Sequence, residues 1–194
     1  MMDNVKIKSL FSDVCLTGNM DSFNLLYKLL CQRLIRFSAA ITGSYHQSEE
    51  IVSDIFIIFW QKRSRYYEVQ EPIVFLYTCT KNLSLNKIKQ NKKYIDFDLL
   101  DQDVLSITPK IEGQLITSQV GKIIEMAIRE LPLRCQLIFR LVKMDGLSYK
   151  QVAELLDISV KTVDAQLAIA IKKLSSVLKA AMPSELVRSF LDSE

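Results

Sequence analysis

Hydrophobic positions recur at helical spacing along most of this chain. Phe23, Leu26, Tyr27, Leu30, Leu34 and Phe37 fall at i, i+3, i+4, i+7, i+11 and i+14, the core stripe of a long amphipathic helix. After a loop at Gly43, Ser48 suits the N-cap of a second helix, in which Val52, Ile55, Phe56 and Phe59 form one buried stripe. Ile51, Ile57, Ile58 and Trp60 add apolar area beyond that stripe, so this helix is either buried all round or docked on a partner through part of its surface. Pro72 suits a first helical turn and opens a third helix running to about Lys93. The second half of that helix changes character. Asn82, Asn86, Lys89 and Lys93 stand at i, i+4, i+7 and i+11, a polar and basic stripe that either meets phosphates and base edges or is a solvated face. Tyr66 and Tyr67 lie in the basic loop just before it, and aromatics interleaved with cations suit stacking on unpaired bases.

The C-terminal third carries the most specific local pattern, a helix-turn-helix over residues 148 to 178. Ser148 with Gln151 makes a capping box at the start of a first helix, whose Val152, Leu155 and Leu156 share one face. Asp157, Ile158 and Ser159 break it. Ser159 then caps a second helix in which Val160, Val163, Leu167, Ile171, Leu174 and Leu178 recur at steps of three and four. Lys161, Thr162, Asp164, Ala165 and Gln166 lie near its N-terminal end on the opposite, polar side, where a recognition helix presents side chains to the major groove. An ordinary helical hairpin has the same grammar, so this pattern alone does not establish DNA binding.

Composition narrows the fold class. With 194 residues, 49% of them hydrophobic, the chain has enough apolar material for a buried core, and only 5 Gly and 4 Pro favour helices over a sheet with tight turns. An all-α fold follows. The longest near-apolar run, Ile51 to Trp60, contains Ser53 and Asp54 and is too short to span a bilayer. The N-terminus lacks a basic-then-apolar leader, so a cytoplasmic protein is expected.

Charge adds the domain organisation. The net charge of +3 is small, but residues 62–93 hold eight lysines and arginines against only Glu68 and Glu71. From Tyr94 to Ser118 the sign reverses, with Asp96, Asp98, Asp101, Asp103 and Glu112 against Lys110 beside Pro109 and Gly113. This reads as a flexible acidic linker over 94–118 between two small helical domains, 1–93 and 119–180, with a tail over 181–194.

Little in the chain suggests catalysis. Cys15, Cys31, Cys79 and Cys135 are widely spaced among apolar residues, with no Cys-x-x-Cys pair, and read as small reduced hydrophobes rather than as metal ligands or disulfides. The lone His46 lies in a polar loop with no nucleophile or second ligand beside it. Gly-rich phosphate loops and nucleophile-elbow motifs are missing, so no enzyme, metal, cofactor or small-molecule substrate is expected.

Taken in order, these pieces resemble a bacterial RNA polymerase sigma factor of the extracytoplasmic-function (ECF) group in the sigma-70 family, the compact class holding only sigma regions 2 and 4. SEEIVSDIFIIFWQKR is similar to the region 2.2 signature, FLYTCTKNLSLNKIK to region 2.4, and LPLRCQLIFRLVKMDGLSYKQVAELLDISVKTV to the region 4 pattern. The resemblance implies a region 2 helical bundle that docks on core RNA polymerase through Glu50, Ile51, Asp54, Ile57 and Phe59. It also implies that the loop with Tyr66 and Tyr67 and the helix with Lys81, Asn82, Asn86 and Lys89 recognise and help melt the minus-ten promoter element. Region 4 would read the minus-thirty-five element through Lys161, Thr162, Asp164, Ala165 and Gln166, and the linker would run through the polymerase cleft. An anti-sigma factor, often membrane-anchored in this group, is implied in the same way.

Several positions depart from the family pattern. Ser53 stands where many relatives have glutamine, Lys81 where arginine commonly precedes the asparagine, and Gln136 and Ile169 where arginines are frequent in region 4. From Lys143 to Lys179 six lysines face four acids, so weak DNA affinity is expected of the isolated region. The rival reading is a stand-alone helix-turn-helix regulator, which typically binds as a dimer. Only a short tail follows Leu178, with no heptad run for a dimerisation helix. In that tail Leu186, Val187, Phe190 and Leu191 could pack on region 4 or engage a regulator.

Overall fold

The computed structural model describes residues 2–91 and 119–181, which are helical with short connections and contain no strand. They divide into two compact units, one within residues 2–91 and one within residues 119–181. The linker over 94–118 and the tail beyond Ala181 lie outside the described residues, as does Lys93 of the basic stripe.

The first unit comprises α1 (Met2–Thr17), α2 (Met20–Thr42), α3 (Tyr45–Lys62), a 3-10 turn (Arg63–Arg65) and α4 (Pro72–Asn91). Helix α2 is its axis and packs against the other three. Leu26, Leu30, Leu34 and Phe37 of α2 are buried against Val52, Ile55, Phe56 and Phe59 of α3 and against Ile73, Leu76 and Tyr77 of α4. Phe37 meets Tyr77 edge-on, with centroids 4.9 Å apart. Where α2 crosses α4 the buried Ser38 and Ser84 hydroxyls share a 2.8 Å hydrogen bond, so close approach leaves no polar atom there unpaired.

Two features differ from the expectation. The first is α1, which carries Ile7, Phe11, Val14 and Cys15 into the core. Phe11 stacks on Phe59 at 4.7 Å and sits edge-on to Phe75 at 6.2 Å. The second is the start of α3. Ser44, not Ser48, is its N-cap, with its side chain accepting from the Gln47 backbone N–H. Gly43 ends α2 in the left-handed conformation (φ 70°), which places the next residue, Ser44, in the extended geometry of a cap. Ser48 is thus inside the helix and buried, donating to the Ser44 carbonyl at 2.7 Å. His46 consequently lies in the first helical turn rather than in a loop.

The second unit comprises α5 (Gln119–Arg129), α6 (Leu133–Phe139), a π-helical turn (Arg140–Met144), α7 (Tyr149–Leu156) and α8 (Val160–Ala181). The capping box appears in full. Ser148 accepts from the Gln151 backbone N–H, and the Gln151 side chain accepts from the Ser148 backbone N–H at 2.8 Å. Helix α7 ends on Asp157 in the left-handed region (φ 57°, ψ 49°), one of the few non-glycine residues that adopts it readily. Two residues on, Ser159 Oγ accepts from the Thr162 backbone N–H at 3.0 Å and opens α8.

Val152 and Leu155 of α7 and Val163, Leu167, Leu174 and Leu178 of α8 are buried with Ile138 and Phe139 of α6. Val160, expected on that stripe, is 47% exposed because it occupies the first position of α8, before the helix reaches the core. A nearly buried ion pair ties α5 to the π turn, with Arg140 Nη2 2.8 Å from Glu125 Oε1. No helix among the described residues is long and apolar enough to cross a membrane.

Candidate nucleic-acid and polymerase interfaces

Helix α4 presents two kinds of surface. Its N-terminal half is core, whereas Asn82, Asn86 and Lys89 are exposed and Lys81 is half-buried, which places the polar stripe in solvent. Leu85 lies among them, 38% exposed. Lys87, on the flank of the same helix, reaches Glu50 of α3 at 3.6 Å, and His46 Nδ1 stands 3.5 Å from the other Glu50 oxygen. Half of this cluster is solvated, so its energetic weight is small.

The two tyrosines before α4 separate. Tyr67 is 57% exposed, and its hydroxyl donates to Glu68 at 2.7 Å. Tyr66, expected to stack on bases, is instead half-buried, with its ring 4.9 Å from Phe75 and 6.2 Å from Phe59. The 3-10 turn after α3 folds the chain back onto the aromatic cluster, so Tyr66 closes the core and Tyr67 alone faces outward.

The expected polymerase contacts divide similarly. Glu50, Asp54 and Ile57 are exposed, but Ile51 is 4% exposed and Phe59 2%, so these two side chains cannot reach a partner. They lie on the wide inner face of α3, where Phe59 stacks with Phe11 and Phe23. The real apolar surplus is an open groove of about 330 Å³ between α2 and α3, lined by Met20, Phe23, Tyr27, Phe56, Ile57 and Trp60. Of these, Ile57 and Trp60 belong to the surplus apolar area read from the sequence of α3, and Ile57 alone was named as a polymerase contact. On α2 the residue that carried a signal is Tyr27, which lies at the edge of the stripe rather than at its centre. Arg63 lies over the Trp60 ring at 4.4 Å and braces one end. Tyr27 stays neutral, its pKa pushed up to about 12 first by its hydrogen bond with Cys31 and then by burial.

On α8, Lys161, Asp164 and Ala165 are exposed at the N-terminal end. Thr162 and Gln166, expected to point fully outward, are half-buried. The Thr162 hydroxyl shares a 2.8 Å hydrogen bond with the capping Ser159, and Gln166 Oε1 accepts from Cys135 Sγ of α6 at 3.0 Å. Both stand at the boundary between the outward face and the seam with α6. Lys173 and Arg134 each favour the Cys135 thiolate electrostatically, and sequence reasoning singled out neither as a site residue. Burial outweighs them and pushes the thiol up. Gln136, where relatives often carry arginine, donates to the Ile128 carbonyl at 2.9 Å, and Ile169 is 42% exposed. Among the described residues no group of His, Cys, Asp and Glu side chains could hold a metal ion.

The sigma-70 region 2 family model matches residues 26–94, and the sigma-70, region 4 model matches residues 121–174. The ECF RNA polymerase sigma factor SigW of Bacillus subtilis is 21% identical over 159 residues, covering 77% of this chain and 85% of that protein. The fold is similar to that of the sigma factor RpoE of Bartonella quintana, solved in complex with the anti-sigma factor NepR. That likeness has a TM-score of 0.50 at 18% identity and covers 82% of this chain and 98% of that one. With both regions matched in order, over more than half of its length between them, the chain belongs to the sigma-70 family of RNA polymerase sigma factors, in the compact form built from regions 2 and 4.

Proposed function

We propose that this protein directs core RNA polymerase to a specific set of promoters, and that its two helical units divide the work. The unit formed by α1 to α4 docks on the polymerase through the α2–α3 groove, with Ile57 at its lip and Glu50 and Asp54 on the adjoining polar rim. The exposed Ile57 and the apolar walls of the groove would be covered in that complex. Helix α4 then presents Asn82, Asn86 and Lys89, with Lys81 beside them, to the minus-ten element. These side chains supply amide donors and acceptors together with cations, the mixture needed to hold phosphates and a strand that is opening. Tyr67 is the aromatic available for stacking on an unpaired base.

The unit formed by α5 to α8 reads the minus-thirty-five element through the N-terminal turns of α8. Its modest positive charge suits a module that binds as part of a larger assembly, because phosphate contacts made by the polymerase add to its own. The observation that carries this reading is the pairing of a fully capped helix-turn-helix with a second unit whose exposed stripe is polar and basic. A protein acting on polymerase works in the cytoplasm, and an anti-sigma partner covering the α2–α3 groove would keep it from the polymerase until released.

Replacing Asn82 and Lys89 together by alanine tests the division. Promoter opening, followed by permanganate reactivity of unpaired thymines, should be lost. Core-polymerase affinity should stay within about twofold, because both side chains are solvent-exposed and far in sequence from the groove. Equal loss of both activities would contradict the assignment.

A further inference from the structure

Gln166 is a candidate base reader whose amide is already held from behind. Its Oε1 accepts a hydrogen bond from Cys135 Sγ at 3.0 Å, across the seam between α6 and α8. Cys135 is 2% exposed, and burial keeps its thiol protonated, so it remains an S–H donor at neutral pH. An amide carries its acceptor and its two donors on opposite sides. With the oxygen turned to Cys135, the NH2 group is the part of Gln166 left to face outward, on a side chain that is only half-buried.

We infer that Cys135 is a positioning residue for promoter readout, fixing Gln166 as a donor toward the acceptor-rich edge of guanine. A freely turning glutamine pairs with adenine by using both ends of its amide, accepting from N6 and donating to N7. With its oxygen turned inward to Cys135, Gln166 presents its NH2 group to the groove, and guanine displays O6 and N7 side by side as acceptors. The inference rests on α8 being the recognition helix. It adds a buried residue that touches no DNA yet selects which base pair one side chain accepts.

Holoenzyme reconstituted from the full chain and core polymerase, transcribing a template pool randomised through the upstream promoter element, tests this by sequencing the templates used. Wild type and Cys135→Ser, which keeps a donor in place, should both prefer a G·C pair at one position by about fivefold, the low end of a base-specific contact. Gln166→Ala should flatten that position alone. Cys135→Ala, which frees the amide to turn, should shift that position toward A·T and leave the rest of the motif unchanged. An A·T preference of the wild type at the Gln166-dependent position overturns the inference whether or not Cys135→Ala folds, and so does a folded Cys135→Ala with the wild-type profile. If Gln166→Ala changes nothing while Lys161→Ala and Asp164→Ala alter the upstream motif, the inference fails and the recognition-helix reading stands. If no α8 variant alters it, that reading fails as well.

Discussion

Glu125 and Arg140 show how single residues set the stability of the C-terminal unit. Their side chains are 11% and 12% exposed and 2.8 Å apart, with Arg129 also reaching Glu125 at 3.4 Å. A pair so enclosed adds little over an apolar contact, but removing Glu125 takes away the carboxylate that Arg140 faces in a nearly dry site. Glu125→Ala should therefore cost about 3–5 kcal/mol in urea unfolding of the full chain. A loss under about 1 kcal/mol would mean that the site is wetter than its geometry indicates.

Cys15 gives a pH dependence at the same scale. Burial pushes its thiol up to about 11 from an ordinary 9.0. The folded chain therefore keeps a proton that the unfolded chain has released. The contribution is complete below about pH 9 and is lost as pH climbs to about 11. Stability should fall across that window, and Cys15→Ala should make the fall shallower. Parallel curves for the two proteins would contradict the assignment.

Helices differ in how much of them could be read from sequence. The helix-turn-helix was legible almost residue by residue, because Ser148, Gln151, Asp157 and Ser159 act through local hydrogen bonds and backbone preferences that need no distant partner. The start of α3 was misplaced by four residues because two serines compete there, and the choice falls to the left-handed Gly43. Helix α1 was missed although Ile7, Phe11 and Val14 keep helical spacing, since Val5 and Leu16 on its outer side, 73% and 70% exposed, blur the stripe. The π turn has no local signature. It is closed by the Asp145 N–H, which reaches back five residues to the Arg140 carbonyl at 2.9 Å. Phe11→Ala measures what α1 contributes, with an expected loss of about 3–5 kcal/mol for an aromatic packed between Phe59 and Phe75. A loss below about 1 kcal/mol would make α1 an appendage rather than part of the core.

Face assignments failed mainly at the margins of stripes. A helix advances about 100° per residue. Period placed Phe59 on the buried stripe, where it lies, and only the resemblance made it a polymerase contact, whereas period marks Ile51 as apolar without saying that it turns inward and Gln166 as polar without revealing Cys135 behind it. Tyr66 was misread for a different reason. Its place depends on a backbone reversal after α3, and the basic neighbours Arg63 and Arg65 suggested solvent and nucleic acid instead.

At the scale of the whole molecule, two matched regions and two kinds of exposed surface have to serve one activity. The α2–α3 groove suits a protein partner, while the polar faces of α4 and α8 suit nucleic acid, and neither type of surface explains the other. Transcription by core polymerase on a genomic promoter library, with and without this protein, tests that combination directly. The account predicts new start sites that share two short upstream motifs, one near minus ten and one near minus thirty-five. Stable binding to core polymerase with no new start site would contradict it.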